Sequence, residues 1–144
     1  MKSIFLFFAI SLILLISCKK SNQTKPKISI ESINTLIPVN GSLNARLKFT
    51  EKNGGLAKGT FIAIRNRLNQ RPLPIGTASA DTLVGPIPYF PVKSEGEFLY
   101  TLDYNYLKES DIENDTILFK FAVIDRFGNK SDTISSNKIV ILYQ

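Results

Sequence analysis

The sequence contains no histidine and no tryptophan, and its only cysteine is Cys18. Each absence removes a class of chemistry. Without histidine there is no Ser-His-Asp or Cys-His pair, and the usual general base near neutral pH is missing. A lone cysteine closes no disulfide within the chain and builds no Cys/His zinc site. Acidic residues are scarce in the front half: of twelve Asp and Glu, only Glu31 and Glu51 precede position 73. A glycosidase needs two carboxyl groups facing each other across a cleft. Nothing in the sequence places such a pair, so the chain reads as no enzyme, with no catalytic residue, no cofactor and no metal.

The charge is unevenly spread. Positions 19–72 hold seven lysines and four arginines against two acids, while positions 73–144 hold six bases against ten acids, within a net charge of +6. A basic half suits anionic lipid headgroups or glycans, although a solvated surface with a basic tether is the plainer reading. Hydrophobic residues make up 44% and charged residues 21%, the balance of a globular chain.

There is one long hydrophobic run, "IFLFFAISLILLI" at residues 4–16. It is too short for a transmembrane helix, which takes about 20 apolar residues. It fits the core of a secretory signal, about 7–15 residues long, with Lys2 as the positive start. Cys18 follows at once. The stretch Leu15-Ile16-Ser17-Cys18 resembles the bacterial lipobox: aliphatic, variable, small, cysteine. The resemblance implies cleavage before Cys18, a diacylglycerol on its thiol and an acyl group on the new amino terminus. Two or more chains give stable anchoring where one is marginal. Residues 1–17 are thus expected to be a lipoprotein signal peptide, 18–27 the lipidated cysteine and a polar tether, and 28–144 one domain. Lys19 is not the aspartate that retains lipoproteins at the inner membrane in the enterobacterial scheme, which points to the outer membrane of a bacterial envelope. Lys19-Lys20 stand where surface lipoproteins of the Bacteroidota carry acids, so the side of the membrane that the domain faces stays open. Export and the lack of a nucleic-acid-binding motif argue against a nucleic acid partner.

The remainder alternates between strand patterns and turn chemistry. "SLNARLKFT" at 42–50 places Leu43, Ala45, Leu47 and Phe49 on one face and polar residues on the other, as a half-buried antiparallel strand does. Residues 97–104 repeat this, residues 116–125 are apolar on both faces except Lys120 and read as central, and 137–143 form a last strand. Weaker strand signals lie at 28–34, 60–66 and 81–84, and 105–115 has room for a turn of helix. Asn40-Gly41, Asn53-Gly54-Gly55 and Gly128-Asn129 are turn pairs. About seven strands at this spacing predict an all-β, single antiparallel β-sandwich. "FAVIDRFGNKSDT" at 121–133 resembles the penultimate strand and hairpin of bacterial immunoglobulin-like and fibronectin-type-III-like domains, through Asp125, Gly128, Asn129 and Ser131. "LKFTEKNGGLAKGTF" at 47–61 is similar to a segment of small Bacteroidota lipoproteins with such folds, where Glu51, Asn53 and Gly55 replace the usual acids of a loop.

Three further patterns yield candidate sites. "GPIPYFP" at 85–91 holds Ile87, Tyr89 and Phe90 stiffly among prolines, a low-entropy surface for a partner or else a plug for the sandwich end. "ESDIEND" at 109–115 reads as a solvated acidic turn; calcium wants six to eight oxygens, and the spacing supplies only a few. Asp81-Thr82-Leu83, Asp115-Thr116-Ile117 and Asp132-Thr133-Ile134 resemble the Asp-(Ser/Thr)-aliphatic motif for O-glycosylation of exported Bacteroidota proteins, with Thr82, Thr116 and Thr133 as attachment points. The same pairs also suit strand starts. The expectation is an envelope lipoprotein acting as a non-catalytic binding or scaffolding module, with a membrane lipid anchor and an envelope protein or glycan as partner. The alternative is a small-ligand carrier or inhibitor with a closed β-barrel.

Overall fold

The computed structural model describes residues 25–76 and 81–144. Cys18, the expected signal segment 1–17 and most of the expected tether lie outside the described residues. Nine strands and one helical turn follow in order: β1 (Lys27–Ile33), β2 (Leu36–Ile37), β3 (Ser42–Thr50), β4 (Thr60–Arg67), β5 (Thr82–Pro86), β6 (Glu95–Asp103), α1 (Tyr104–Leu107), β7 (Asp115–Ile124), β8 (Ile134–Ser135) and β9 (Ile139–Ile141). The first sheet runs β1-β3-β6; the second runs β2-β9-β7-β4-β5, with β8 beside β7. The barrel alternative is corrected here. Among the described residues the two sheets stay separate and do not close on one another, so the fold is a sandwich. With the two-residue β2 and β8 set aside, the first, second and fifth strands share one sheet and the third, sixth and seventh the other, as in immunoglobulin-type sandwiches, while the fourth, β5, joins the second sheet instead of the first.

The alternation in β3 is realised. Leu43, Ala45, Leu47 and Phe49 are buried, and Asn44 and Arg46 are exposed. β7 lies in the middle of its sheet, paired to β4 on one side and to β8 and β9 on the other. Its inward residues Ile117, Phe119, Phe121 and Val123 are buried, whereas on the outer face Thr116, Leu118 and Ile124 are half-buried, Ala122 is buried and Lys120 is exposed. Seven of the nine strands coincide with the seven strand signals, shifted by two residues or fewer at most ends. β2 and β8 have two residues each, too short for any periodicity to mark them. β2 runs parallel to β9, the one parallel pairing among the described strands.

The core is aromatic where the sheets meet. Phe61 of β4 lies 5.3 Å from Phe98 and 4.9 Å from Tyr100, both on β6, and 5.7 Å from Phe121 on β7, between ring centroids. Such ring pairs add about 0.5–1.5 kcal/mol each beyond the area they bury. Gly96 is needed opposite Phe49: a Cβ there would come within 2.8 Å of the Phe49 ring.

Candidate functional site

The two ends of the sandwich are closed by charged groups in structural roles. At one end Arg65 and Arg67, on the core-facing side of β4, meet the loop after α1. Arg65 Nη2 lies 2.5 Å from Glu109 Oε1, and Arg65 Nη1 donates to the carbonyl of Tyr106 at 2.9 Å. Arg67 Nε donates to Asp115 Oδ1 at 2.8 Å and Arg67 Nη2 to Glu113 Oε1 at 3.0 Å. Asp115 Oδ2 accepts from the backbone N–H groups of Glu109 and Ser110, at 2.7 and 2.8 Å. The expected solvated acidic turn is corrected: the side chains of Glu109 and Asp115 are only 3% and 1% exposed. Two buried guanidinium groups 44 and 48 positions upstream draw them in. These carboxylates are committed to arginine and to backbone N–H, which removes them as ligands for a cation.

At the other end, buried Glu51 organises the loop that resembled an acidic lipoprotein loop. Its carboxylate accepts from the N–H of Asn53 at 2.9 Å, of Leu56 at 3.2 Å, and of Gly55. Asp125 does the same for the hairpin after β7. Its Oδ1 accepts from Phe127 N at 2.9 Å and Asn129 N at 2.8 Å, and its Oδ2 from Asn129 Nδ2 at 2.8 Å. Gly128 takes φ +85° in that turn, a conformation open to glycine at little cost. Ser131 Oγ accepts from Val123 N at 3.0 Å. The Asp-Gly-Asn-Ser residues that carried the immunoglobulin-like resemblance thus build a turn. Among the described residues no group of three His, Cys, Asp or Glu converges as a metal site would require.

Of the partner-contact candidates at 85–91, Ile87 is 4% exposed and belongs to the core. Phe90 is half-buried and stacks on Phe49 at 4.9 Å. Tyr89 is 85% exposed. Ile87 and Phe90 turn inward, while Pro88 and Tyr89 between them are exposed. Thr82 and Thr133 are exposed, while Thr116 is half-buried on β7, its N–H bonded to Asn69 Oδ1 at 2.7 Å.

An apolar concave surface lies along the side of the sandwich, between β5 and β6. It is a groove of about 290 Å³ formed by Phe61, Leu83, Gly85, Pro86, Phe98, Tyr100 and Leu102, with Val84, Pro88 and Leu99 at its rim. The volume falls at the lower bound of small-molecule sites, about 300 Å³. Its origin is topological. The first sheet ends at β6, whose Phe98 and Tyr100 pack on Phe61 of β4, while the second sheet extends one strand further, to β5. Gly85 pairs with Phe61 across the β4–β5 ladder. A Cβ at Gly85 would meet nothing within 4 Å, so the missing side chain leaves open space beside Phe61, itself only 7% exposed. Val84 and Leu99 beside the groove are 64% and 58% exposed.

Tyr100 carries the groove's polar group. Its Oη is buried and has no hydrogen-bond partner among the described residues. Burial holds this phenol well above the usual tyrosine range; the Tyr106 phenol adds to the effect and the Arg65 guanidinium opposes it. Sequence reasoning did not single out the groove. Leu83 reads there as strand, Gly85 as edge or loop, and the apolar face of residues 97–104 as the buried side of a strand.

No protein-family model matches the chain, and no curated protein is similar to it. Solved structures of similar outline include the cohesin module of a family 33 glycoside hydrolase from Clostridium perfringens, at 12% identity and TM-score 0.42, covering 83% of this chain and 98% of that one. A sporulation control protein, Spo0M from Bacillus subtilis, is 9% identical with TM-score 0.41, over 84% of this chain and 51% of that one. A Niemann-Pick type C2 protein from the Japanese carpenter ant is 13% identical with TM-score 0.41, over 85% and 97%.

Proposed function

We propose that this protein is a non-catalytic binding or scaffolding module, held at the outer membrane of a bacterial envelope by lipid on Cys18, with the β5–β6 side as its binding face. One observation carries the binding face: an apolar groove of about 290 Å³ opens beside exposed Val84 and Leu99. Apolar surface concentrated in a concavity is characteristic of binding sites, whereas scattered exposed residues are not. Tyr89 is the contact that the 85–91 loop contributes, because Ile87 and Phe90 serve the core. The lipid anchor rests on the sequence around Cys18 and on acyl-chain energetics.

The anchor is tested by the intact mass of the mature protein from its native envelope. A chain beginning at Cys18 and carrying acyl groups supports it; an unlipidated chain beginning elsewhere overturns it. Thr82 and Thr133, both exposed, are the proposed sugar attachment points, together with Thr116. Mass lost on substituting each threonine by alanine reports them in the same measurement. The binding face is tested by Gly85→Phe, which fills the groove: lost binding of partners or apolar probes supports the face, and unchanged binding by the folded variant overturns it.

A further inference from the structure

The open edge of β6 says what kind of occupant the groove suits. Among the described residues β6 pairs with β3 only, in antiparallel register from Ser42–Asp103 to Thr50–Glu95. The ladder continues beyond both ends. Tyr104 N donates to Gly41 O at 3.0 Å, and Glu51 N donates to Ser94 O at 2.7 Å. In an antiparallel pair, residues that bond the partner strand alternate with residues whose N–H and C=O point away. Tyr104 and Ser94 are bonding positions, so the even-numbered residues of β6 face β3. Glu95, Glu97, Leu99, Thr101 and Asp103 therefore present backbone N–H and C=O to the open side.

This edge carries only some of the devices that usually protect one, the acidic side chains of Glu95, Glu97 and Asp103. Sheet edges are blunted by proline, charged side chains (lysine above all), a bulge or a short strand. β6 is nine residues long, "EGEFLYTLD", without proline or lysine, and its register with β3 runs without a shift. At the opposite edge of the same sheet, β1 carries a shift between Ile30 and Ser32. A strand added beside β6 would lie across from β5, with its inward side chains in the groove over Phe61 and Gly85. In the constant-type immunoglobulin arrangement a fourth strand occupies this position in the first sheet; here that sheet has three.

Charge indicates the sequence of the added strand. On the outer face of the first sheet β3 presents Arg46 and Lys48, and β6 presents Glu95, Glu97 and Asp103. Glu97 sits opposite Lys48 and contacts Arg46 at 3.5 Å. Opposite charges across neighbouring strands stabilise and like charges destabilise. The next strand beyond acidic β6 is favoured when its outward positions are basic.

Resting on the reading of this side as the binding face, we propose that its occupant is an extended, basic segment of a partner protein. It adds as a fourth strand to the free edge of β6 and buries alternate apolar side chains in the β5–β6 groove. Affinity would come from main-chain hydrogen bonds and specificity from the groove and the acidic rim, the pattern of strand addition in general.

The test uses the soluble domain with its tether and a synthetic peptide as long as β6 that alternates valine and lysine. Amide hydrogen exchange should slow at Glu97, Leu99 and Thr101 when the peptide is present. A peptide alternating valine and glutamate should bind about tenfold more weakly or worse. Leu99→Pro removes an outward N–H without removing a bond to β3, and proline is tolerated at such edge positions; it should abolish binding. Gly85→Phe should abolish it too. Unchanged exchange at those three amides in the wild-type domain, which needs no variant to fold, overturns the proposal. Binding that survives Leu99→Pro also overturns it, as does concentration-dependent dimerisation through β6, which would make a second copy the occupant. Palmitate is the control that separates the two readings. If it binds and Gly85→Phe blocks it while the peptide does not bind, the binding face stands and strand addition fails.

Discussion

Arg65 and Glu109 form an ion pair of 2.5 Å with side chains 0% and 3% exposed, at the end of the sandwich where β4 and the loop after α1 meet. A buried pair repays the desolvation of its charges only while both partners are present. Arg65→Ala should therefore cost about 3–5 kcal/mol, because Glu109 loses the guanidinium at 2.5 Å and is left with the more distant one of Arg67, at 3.8 Å. Replacing both by apolar residues, as in Arg65→Met with Glu109→Leu, should recover most or all of that loss. Urea unfolding of the two single variants and the double variant checks this, and a double variant as unstable as Arg65→Ala would refute it.

Two inward-facing glycines on the edge strands should behave oppositely. Gly96→Ala places a Cβ 2.8 Å from the Phe49 ring, with no room to move away from a packed aromatic. The expected cost is about 1–3 kcal/mol, the range for overpacking. Gly85→Ala meets nothing within 4 Å and should leave stability within about 0.5 kcal/mol, as neutral surface changes do. Thermal unfolding of both variants is the comparison. Equal losses would mean that the groove beside Gly85 is already filled.

Tyr100 should make the domain sensitive to alkali. Its phenol is raised above the ordinary value of 10.0 by burial, by Tyr106 next, and against the opposing effect of Arg65. Above about pH 10 the unfolded chain releases this proton while the folded chain keeps it, so the folded state binds more protons and stability falls as pH rises. Below pH 10 both states are protonated and the residue adds no slope. Tyr100→Phe should flatten the alkaline limb. It should also stabilise the domain by about 1 kcal/mol at neutral pH, since it removes a buried hydroxyl without a partner. Stability curves of both proteins from pH 7 to about pH 11 decide this. A variant less stable at neutral pH would mean that the hydroxyl does have a partner.

Asp125→Ala should destabilise the domain more than Asp132→Ala. Asp125 is buried and accepts three hydrogen bonds within its hairpin, whereas the Asp132 side chain is 87% exposed and pairs only with Lys25. Bonds to a charged acceptor contribute about 1.5–3 kcal/mol, and exposed ion pairs about 0–1 kcal/mol. Equal effects in chemical denaturation would count against the hairpin's dependence on its carboxylate.

The class of fold and much of its skeleton were legible in local residue patterns. The alternation in "SLNARLKFT" marked β3 from Ser42 to Thr50 without error, because a strand half-covered by a second sheet must alternate. The two-faced run at 116–125 marked the centre of the second sheet, where neighbours on both sides leave even its outer face mostly half-buried, Lys120 apart. Those signals are local, set by a side chain's own face. Tertiary structure alone decided the rest. Glu109 and Asp115 looked solvated because the arginines that bury them are 44 and 48 residues away. Ile87 and Tyr89 looked alike in the proline-rich loop, and only the path from β5 to β6 turned one into the core and the other into solvent. The groove depends on where each sheet stops. Phe61, Gly85 and Tyr100 become its walls because β5 extends past β6, a relation between strands that no stretch of sequence contains.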